Sequence, residues 1–354
     1  MTTKANSENL EIKPFDLRNA SEHEYAGANV FANRLRAEQL PDDPPIPLDE
    51  MVLGWRNLPP FQHIPTWSVW RTDGSQIVAR GNVSWLDVPE NRHLVQFKLM
   101  VLPEYRQRGL ARQFLALIVQ ATRRENRHTM FTDTNERIPA GAAFMERLGA
   151  RAGLAAHSNQ LKIAELSSDL IRQWQDRALE RAASFESGFW DGAYPEKDLD
   201  AIVELMQVMN TAPRGSLEIE DQRFTPEQVR QIEQSIFARG NQRWTMYARE
   251  KATGKFVGYT DVVWHPNRSE TLEQLDTGVF PQYRNYGLGR WLKAAMLNKV
   301  LHEHPETKFV RTGNVDSNAA MLKINQELGF MPYMSVTVWQ IEIDQVEKYL
   351  SDHR

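Results

Sequence analysis

One stretch of this chain occurs twice. Val101-Leu-Pro-Glu-Tyr-Arg-Gln-Arg-Gly-Leu-Ala-Arg112 returns as Val279-Phe-Pro-Gln-Tyr-Arg-Asn-Tyr-Gly-Leu-Gly-Arg290, so that Arg106 pairs with Arg284, Gly109 with Gly287 and Ala111 with Gly289, each 178 residues apart. Other landmarks keep nearly that offset: Gly81 with Gly258, Trp85 with Trp264, and Leu148-Gly149 with Leu328-Gly329. A period of half the 354 residues is far longer than the ~20–50 residues of a solenoid repeat. It specifies two copies of one domain, which is also what a length of roughly 150 residues per domain suggests.

Locally the repeated stretch reads as a strand end, a proline stop, a glycine loop and an amphipathic helix. Leu288, Trp291, Leu292, Ala295 and Met296 follow the three-and-four spacing of one buried face. Gly287 and Gly289 stand where loop becomes helix. With no side chains in the way, successive backbone N–H groups there can close on an anion at the positive end of the helix dipole. The stretch is suited to a phosphate.

Composition sets bounds on partners. The chain is 41% hydrophobic and 25% charged with a net charge of −4, which argues against nucleic acid or an anionic membrane as partner. No apolar run approaches the ~18 residues of a membrane span. The start, Met-Thr-Thr-Lys-Ala-Asn-Ser-Glu-Asn, lacks a signal peptide's apolar segment, so a cytoplasmic location is expected. The absence of cysteine removes disulfides, thiolate metal sites and a cysteine nucleophile.

Taken in order, residues 1–9 read as a polar, frayed start. A strand is expected at Leu10–Phe15, a helix through Tyr25, Phe31 and Leu35, and a proline-rich loop from Pro41 to Pro47. Strands follow at Trp67–Trp70, Ile77–Trp85 and His93–Val101, then a helix from Leu110, a strand near Thr129, a helix to Leu148 and a strand near Asn159–Leu166. Ser167 to about Phe185 reads as a helix joining the copies. The second copy has helices at Leu199–Met209 and after Thr225-Pro226, and strands at Trp244–Ala248, Phe256–Trp264 and Leu272–Phe280. It closes with the Leu288–His302 helix, a strand at Phe309–Thr312, a helix at Asn318–Leu328 and a strand at Ser335–Ile343. The expected fold class is α/β (α+β) with a mixed sheet. The expected domains are 1–166, a connecting helix 167–186, and 187–354.

These residues resemble the GNAT superfamily of acyl-CoA-dependent N-acetyltransferases. The signature Arg/Gln-x-x-Gly-x-Gly/Ala after a strand is met by Arg284-Asn-Tyr-Gly-Leu-Gly289 and by Arg106-Gln-Arg-Gly-Leu-Ala111. Its downstream partner is met by Thr312-Gly-Asn-Val-Asp-Ser-Asn318 leading to Leu328-Gly-Phe330. The resemblance covers nearly the whole chain, twice, and is nearest to two-domain members of the mycothiol synthase type. It implies two tandem GNAT-like domains, each a mixed, mostly antiparallel twisted sheet flanked by helices. It also implies acetyl-CoA as acyl donor, and no metal. Thr277, Val279, Arg284, Asn285, Tyr286, Gly287, Leu288, Gly289, Arg290, Asn314 and Asn318 would contact CoA in the second copy. Val101, Arg106, Arg108, Gly109, Ala111 and Arg112 would do so in the first.

For catalysis the resemblance points to a carboxylate base in the strand before the loop. Glu273 takes that place, in phase with Leu275, Thr277 and Val279, and Asp276 is the runner-up, out of phase. The usual general-acid tyrosine is replaced by Asn325 in the second copy and Met145 in the first; Tyr333 is a substitute or a packing residue. Asparagine donates no proton near neutral pH, although it can hydrogen-bond a leaving sulfur. With Val95 where the second copy has Glu273, and Leu-Gly-Ala for Leu-Gly-Phe, the first copy is expected to be degenerate and the second catalytic. Lacking cysteine, the chain is expected to transfer acetyl directly, in a ternary complex, to a primary amine of a small molecule chosen by residues 210–224, as a monomer or homodimer. The rival reading is a non-catalytic acyl-CoA-binding or sensing protein. His302-Glu-His304 has metal-ligand spacing but reads as a solvated helix end, and Trp55 and Trp190 read as packing or as cleft walls.

Overall fold

The computed structural model describes residues 10–353. The reading of residues 1–9 lies outside them. The elements are β1 (Ile12–Pro14), α1 (Glu22–Gln39), α2 (Leu48–Arg56), β2 (Gln62–His63), β3 (Thr66–Trp70), β4 (Ile77–Leu86), β5 (Leu94–Val101), α3 (Leu110–Arg124), β6 (Thr129–Asn135), α4 (Pro139–Leu148) and β7 (Arg151–Lys162). They continue with α5 (Ser168–Arg181), β8 (Phe185–Asp191), α6 (Leu199–Met206), α7 (Pro226–Ala238), β9 (Gln242–Glu250), β10 (Phe256–Trp264) and β11 (Thr271–Val279). The chain ends with α8 (Leu288–Glu303), β12 (Phe309–Val315), α9 (Ala319–Leu328), β13 (Met331–Glu342) and α10 (Ile343–Asp352). Local signals set several boundaries. Ser21 with Glu24 and Thr225 with Gln228 form reciprocal capping boxes, the latter with Pro226 at the first helical position.

Two compact units result, and neither is contiguous with one copy of the repeat. Unit 1 comprises residues 1–153 and 338–354, and unit 2 comprises 154–337. In unit 1 the strand order is β1-β3-β4-β5-β6-β13; in unit 2 it is β7-β12-β11-β10-β9-β8. Each unit contains one parallel pair, β5 with β6 and β11 with β12. The strand that ends the first copy therefore completes the second sheet. Residues of β7 from Ala156 to Lys162 pair with β12, whereas the end of β13 lies beside β6, where the Trp339 indole donates to Thr134 Oγ1 at 2.8 Å.

This exchange departs from the expected boundaries at 166/167 and 186/187. A period read along the chain reports copies, not which sheet each terminal strand joins. The helix taken as a connector has a structural place of its own. Ile171 and Trp174 of α5 are buried with Ala294 and Leu297 of α8 in unit 2. In the same way Val346 of α10 is buried in the core that contains Phe114 and Ile118 of α3 in unit 1.

The sequence pattern missed α2, β8 and α10. Strand β8 was hidden because Gly188 interrupts its apolar alternation; a Cβ there would meet the Tyr247 ring at 2.1 Å, so the close approach of that ring is what requires the glycine. The repeat also needs one realignment. Gly258 lies opposite Val279 and Ala79 opposite Val101, so Ala79, not Gly81, is the counterpart of Gly258.

Candidate active site

The glycine loops of the two units have the same backbone. Asn285 and Gly287 have φ of 73° and 83°, and Gln107 and Gly109 have 61° and 78°. Arg284 Nε donates to the Val279 carbonyl at 3.0 Å and Arg106 Nε to the Val101 carbonyl at 3.1 Å, each tying the loop to the strand it leaves. These left-handed turns free the backbone donors: no backbone acceptor among the described residues takes the N–H groups from Asn285 to Arg290. A Cβ at Gly287 would meet nothing within 4 Å, so the concave side of the loop is open. The loop thus fits the pyrophosphate of acetyl-CoA by its own donors.

Strand β11 pairs with β12 only from Thr271 to Gln274, opposite Phe309 to Thr312. Beyond Gln274 the two strands part, leaving the β11 edge toward Val279 without a ladder on that side. Unit 1 repeats the divergence, with β5 and β6 paired only from Leu94 to Gln96. An open edge of this kind can hydrogen-bond an extended amide chain as another strand would.

At the fork the units differ. Strand β11 carries a bulge: Thr260 faces Thr277, but two strand positions further Val262 faces Gln274, so Leu275 and Asp276 together oppose Asp261. In unit 1 the register runs unbroken from Ser84–Gln96 to Ala79–Val101. The extra residue shifts the repeat upstream of the bulge. Glu273 is in register with Arg311, the place Gln96 takes beside Phe131. Its counterpart is therefore Gln96, and Val95 matches Leu272, both being buried.

The bulge also overturns the expected phase. Gln274 Nε2 donates to Thr260 Oγ1 at 2.6 Å and to Thr277 Oγ1 at 3.2 Å, so Gln274 and Thr277 share a face three residues apart. Asp276 accordingly points the other way. It accepts the Tyr259 hydroxyl at 2.9 Å, and its backbone N–H donates to Asp261 Oδ1 at 2.8 Å. Asp276, the runner-up in the sequence because it counted as out of phase, thus shares the face of Glu273. Glu273 itself is exposed.

Two carboxylates are thereby held together with little solvent. Burial, and then the charge of Asp276, push the Asp261 carboxyl up to about 8. Burial also raises Asp276, partly offset by the Tyr259 hydrogen bond. Arg243 lowers Asp261 but is itself engaged by buried Glu233. On the opposite face, Lys293 is 1% exposed, donates to Gln274 Oε1 at 2.9 Å and is driven down to about 7 by burial. Periodicity found neither Asp261 nor Lys293. A lysine on the apolar face of α8 was the available signal.

The other expected residues have these places. Asn325 is buried, its amide nitrogen bonded to Asn314 Oδ1 at 2.6 Å and its own Oδ1 without a donor. Asn314 also accepts from Asn159 at 3.2 Å, so these asparagines form one chain of amides. Asn318 caps α9 by accepting from the Met321 N–H. Tyr333 lies under the Arg311 guanidinium, 4.4 Å from its ring centre. Arg290 makes a bidentate pair with Glu327, and Leu288 is core. Tyr286 is 45% exposed, edge-on to Phe185.

In unit 1 the loop arginines are engaged by the protein. Arg106 is held bidentate by Glu38 at 2.8 and 2.6 Å, Arg108 lies over Tyr105 and donates to the Glu104 carbonyl, and Arg112 donates to the His353 carbonyl. Position 80, the counterpart of Tyr259, is a buried arginine between Phe15 and Trp55. Trp55 and Trp190 are both packing residues, Trp190 lying 4.2 Å from the Tyr247 ring centre. His304 stacks on Trp264 at 3.9 Å and on Trp244 at 4.8 Å, and no cluster of metal-ligating side chains occurs among the described residues. None of the described helices is long and apolar enough to cross a membrane.

The acetyltransferase (GNAT) family model matches residues 31–150. Those residues are similar to the acetyltransferase domain of the GNAT family. The whole chain has the tandem GNAT fold: a tandem GNAT protein from the clavulanic acid biosynthesis pathway superposes with a TM-score of 0.73 at 24% identity, covering 95% of this chain and 99% of that one. A GCN5-related N-acetyltransferase from Sphaerobacter thermophilus gives 0.65 at 14% identity over 94% and 96%. A search of curated proteins finds no match to the sequence. The family match falls on the first copy, while the bulge and the paired carboxylates belong to unit 2. Acyl transfer is the chemistry of the family.

Proposed function

We propose that unit 2 transfers an acetyl group from acetyl-CoA to the primary amine of a small molecule, both substrates being held at once. The observation that carries this reading is the β11 bulge, which sets Asp276 beside Asp261 at the fork where the strands part. The N–H groups from Asn285 to Arg290 would hold the pyrophosphate, and the open edge of β11 toward Thr277 and Val279 the pantetheine arm. Acetyl-CoA supplies the thioester to be attacked. An edge N–H facing the thioester oxygen stabilises the charge that develops there as the amine adds.

Asp276 is assigned as the base in preference to Glu273. A half-buried carboxylate with a raised pKa holds its proton affinity nearer the working pH, where general bases are most effective. Asp276 takes the proton that the amine loses as nitrogen bonds the acetyl carbon. The C–S bond breaks and the sulfur leaves as thiolate, which needs little help because a thiol's pKa is only about 8.5. One amide proton of Asn325 goes to Asn314, and an amide releases no proton near neutral pH, so no acid is assigned.

Acceptor choice is assigned to residues 210–224. Asn210 closes that loop through the Gln222 carbonyl and N–H at 2.9 and 3.0 Å, and Arg284 donates to Thr211 Oγ1 at 2.8 Å. Arg284 thus links the donor loop to the acceptor loop. The test is thiol release from acetyl-CoA across an amine panel, with calorimetry to count bound acetyl-CoA. Release on at least one amine, with one molecule bound per chain, is expected; stoichiometric binding with no release on any amine would overturn the assignment in favour of a sensor.

A further inference from the structure

A cavity of about 510 Å³ opens beside the glycine loop of unit 2, between α5 on one side and Tyr286, Gly287, Arg290 and Glu327 on the other. That volume is within the usual range for a small-molecule site, about 300–1,000 Å³. Its α5 wall is built by Trp174, Arg177 and Arg181. Arg290 of α8 is paired with Glu327, and Arg172 of α5 with Asp169. Arg177 and Arg181 have neither an ion pair nor a hydrogen bond to any described residue, although Asp176 and Glu180 are their chain neighbours. They are four residues apart, so on a helix they are neighbours of like charge, which by itself is unfavourable. An anion in the cleft would reverse the sign of that interaction.

We propose that this cleft receives the nucleotide end of the acyl donor and that Arg177 and Arg181 bind its 3′-phosphate, resting on the acetyl-CoA reading of unit 2. The loop donors and the cleft are contiguous at Tyr286 and Gly287, so an ADP unit whose pyrophosphate is on the loop has its ribose and adenine directed along the cleft. Tyr286, 45% exposed, offers the aromatic surface. The site selects the class of donor: a free CoA thioester, which carries the phosphate, over a pantetheine thioester borne on a carrier protein, which does not. Helix α5 is then a wall of the donor site as well as a part of the core.

Unit 1 has no such wall. Helix α10 presents Asp344 and Glu347, both engaged by Arg123, and the carbonyl at His353 occupies Arg112, the counterpart of Arg290.

The test is calorimetric titration of the full chain with CoA and with 3′-dephospho-CoA, for the native protein and for Arg177→Gln/Arg181→Gln. Both side chains are exposed, so melting should not change. The native protein is expected to bind CoA about 10–100-fold more tightly than dephospho-CoA, the range of one or two charge-assisted hydrogen bonds. In the double variant the ratio should fall to about one with dephospho-CoA affinity unchanged. With acetyl-CoA as substrate the variant should show a raised KM and an unchanged kcat. A ratio that persists in the variant overturns the arginine assignment alone. Failure of the native chain to bind either ligand overturns it together with the donor reading.

Discussion

Units 1 and 2 share one loop geometry and differ in the side chains around it. Both turn from strand to helix through the same pair of left-handed residues, tie an arginine back to the strand, and part their parallel strands after a short ladder. Phosphate geometry is thus present twice. In unit 2 one inserted residue in β11 turns Asp276 toward Asp261 and Tyr259, and α5 adds two unpaired arginines beside the loop. In unit 1 the strand is regular, Arg80 stands in the place of Tyr259, and Glu38 and the end of α10 engage the loop arginines. The lesson is that a phosphate loop survives duplication on backbone geometry alone, whereas a base needs a specific register and a specific burial.

The largest effect should come from the bulge carboxylate. Asp276→Asn is expected to lower kcat by about 10²–10⁴-fold, the range of general acid–base catalysis, while Gln96→Ala in unit 1 leaves turnover unchanged. The pH profile sharpens the same comparison. Asp276 must be ionised to accept a proton, and its pKa is raised, so kcat/KM should fall with decreasing pH along a limb above the ordinary carboxylate range. That limb should vanish in Asp276→Asn. Retention of the limb in that variant would return the base to Glu273.

Next in size is the loop. Gly289→Asp places a negative side chain at the start of α8, where only Ile324 is near, at 3.4 Å from the new Cβ. Acetyl-CoA affinity measured by calorimetry should drop by about 100-fold, the loss of two charge-assisted contacts. Ala111→Asp, the same change in unit 1, should leave affinity and kcat/KM intact. Loss of turnover from Ala111→Asp would break the division of labour between the units.

Glu273→Gln should change kcat/KM by less than about fivefold, as befits an exposed carboxylate. The smallest effect is on stability. The Lys293 ammonium is pushed down to about 7 in the folded chain from an ordinary 10.5. Between those values the unfolded chain binds the extra proton, so stability should rise as pH increases from about 7 to 10.5. Lys293→Met should flatten that rise in a series of melting curves; an unchanged slope would mean that Lys293 is charged in the fold.

Much of the architecture was readable because it rests on local signals. Capping at Thr225-Pro226, the glycine loops, and the strand-forming run from Phe256 to Trp264 each act within a few residues, and the structure has them where the pattern put them. The site was legible to the extent that it is backbone: Gly287 and Gly289 mark the loop, and Arg284 its anchor. Side-chain roles were less so. Asp276 ranked only second because a strand was counted with period two, and a bulge breaks that count without leaving any signal in residue types. Asn325 offered a donor amide in the sequence, and the structure shows that one of its two protons goes to Asn314.

The sequence by itself determined that there are two copies, that each has the strand–loop–helix suited to a phosphate, and that no cysteine takes part. Repetition and turn chemistry are properties of neighbours along the chain, so they are written there. Tertiary structure alone decided that β7 completes unit 2 and that the end of β13 lies in unit 1, that a bulge brings Asp276 to Asp261, and that α5 faces the loop with Arg177 and Arg181. Those features depend on which strand pairs with which and on how much water is left between side chains, and neither is a property of any short stretch of sequence.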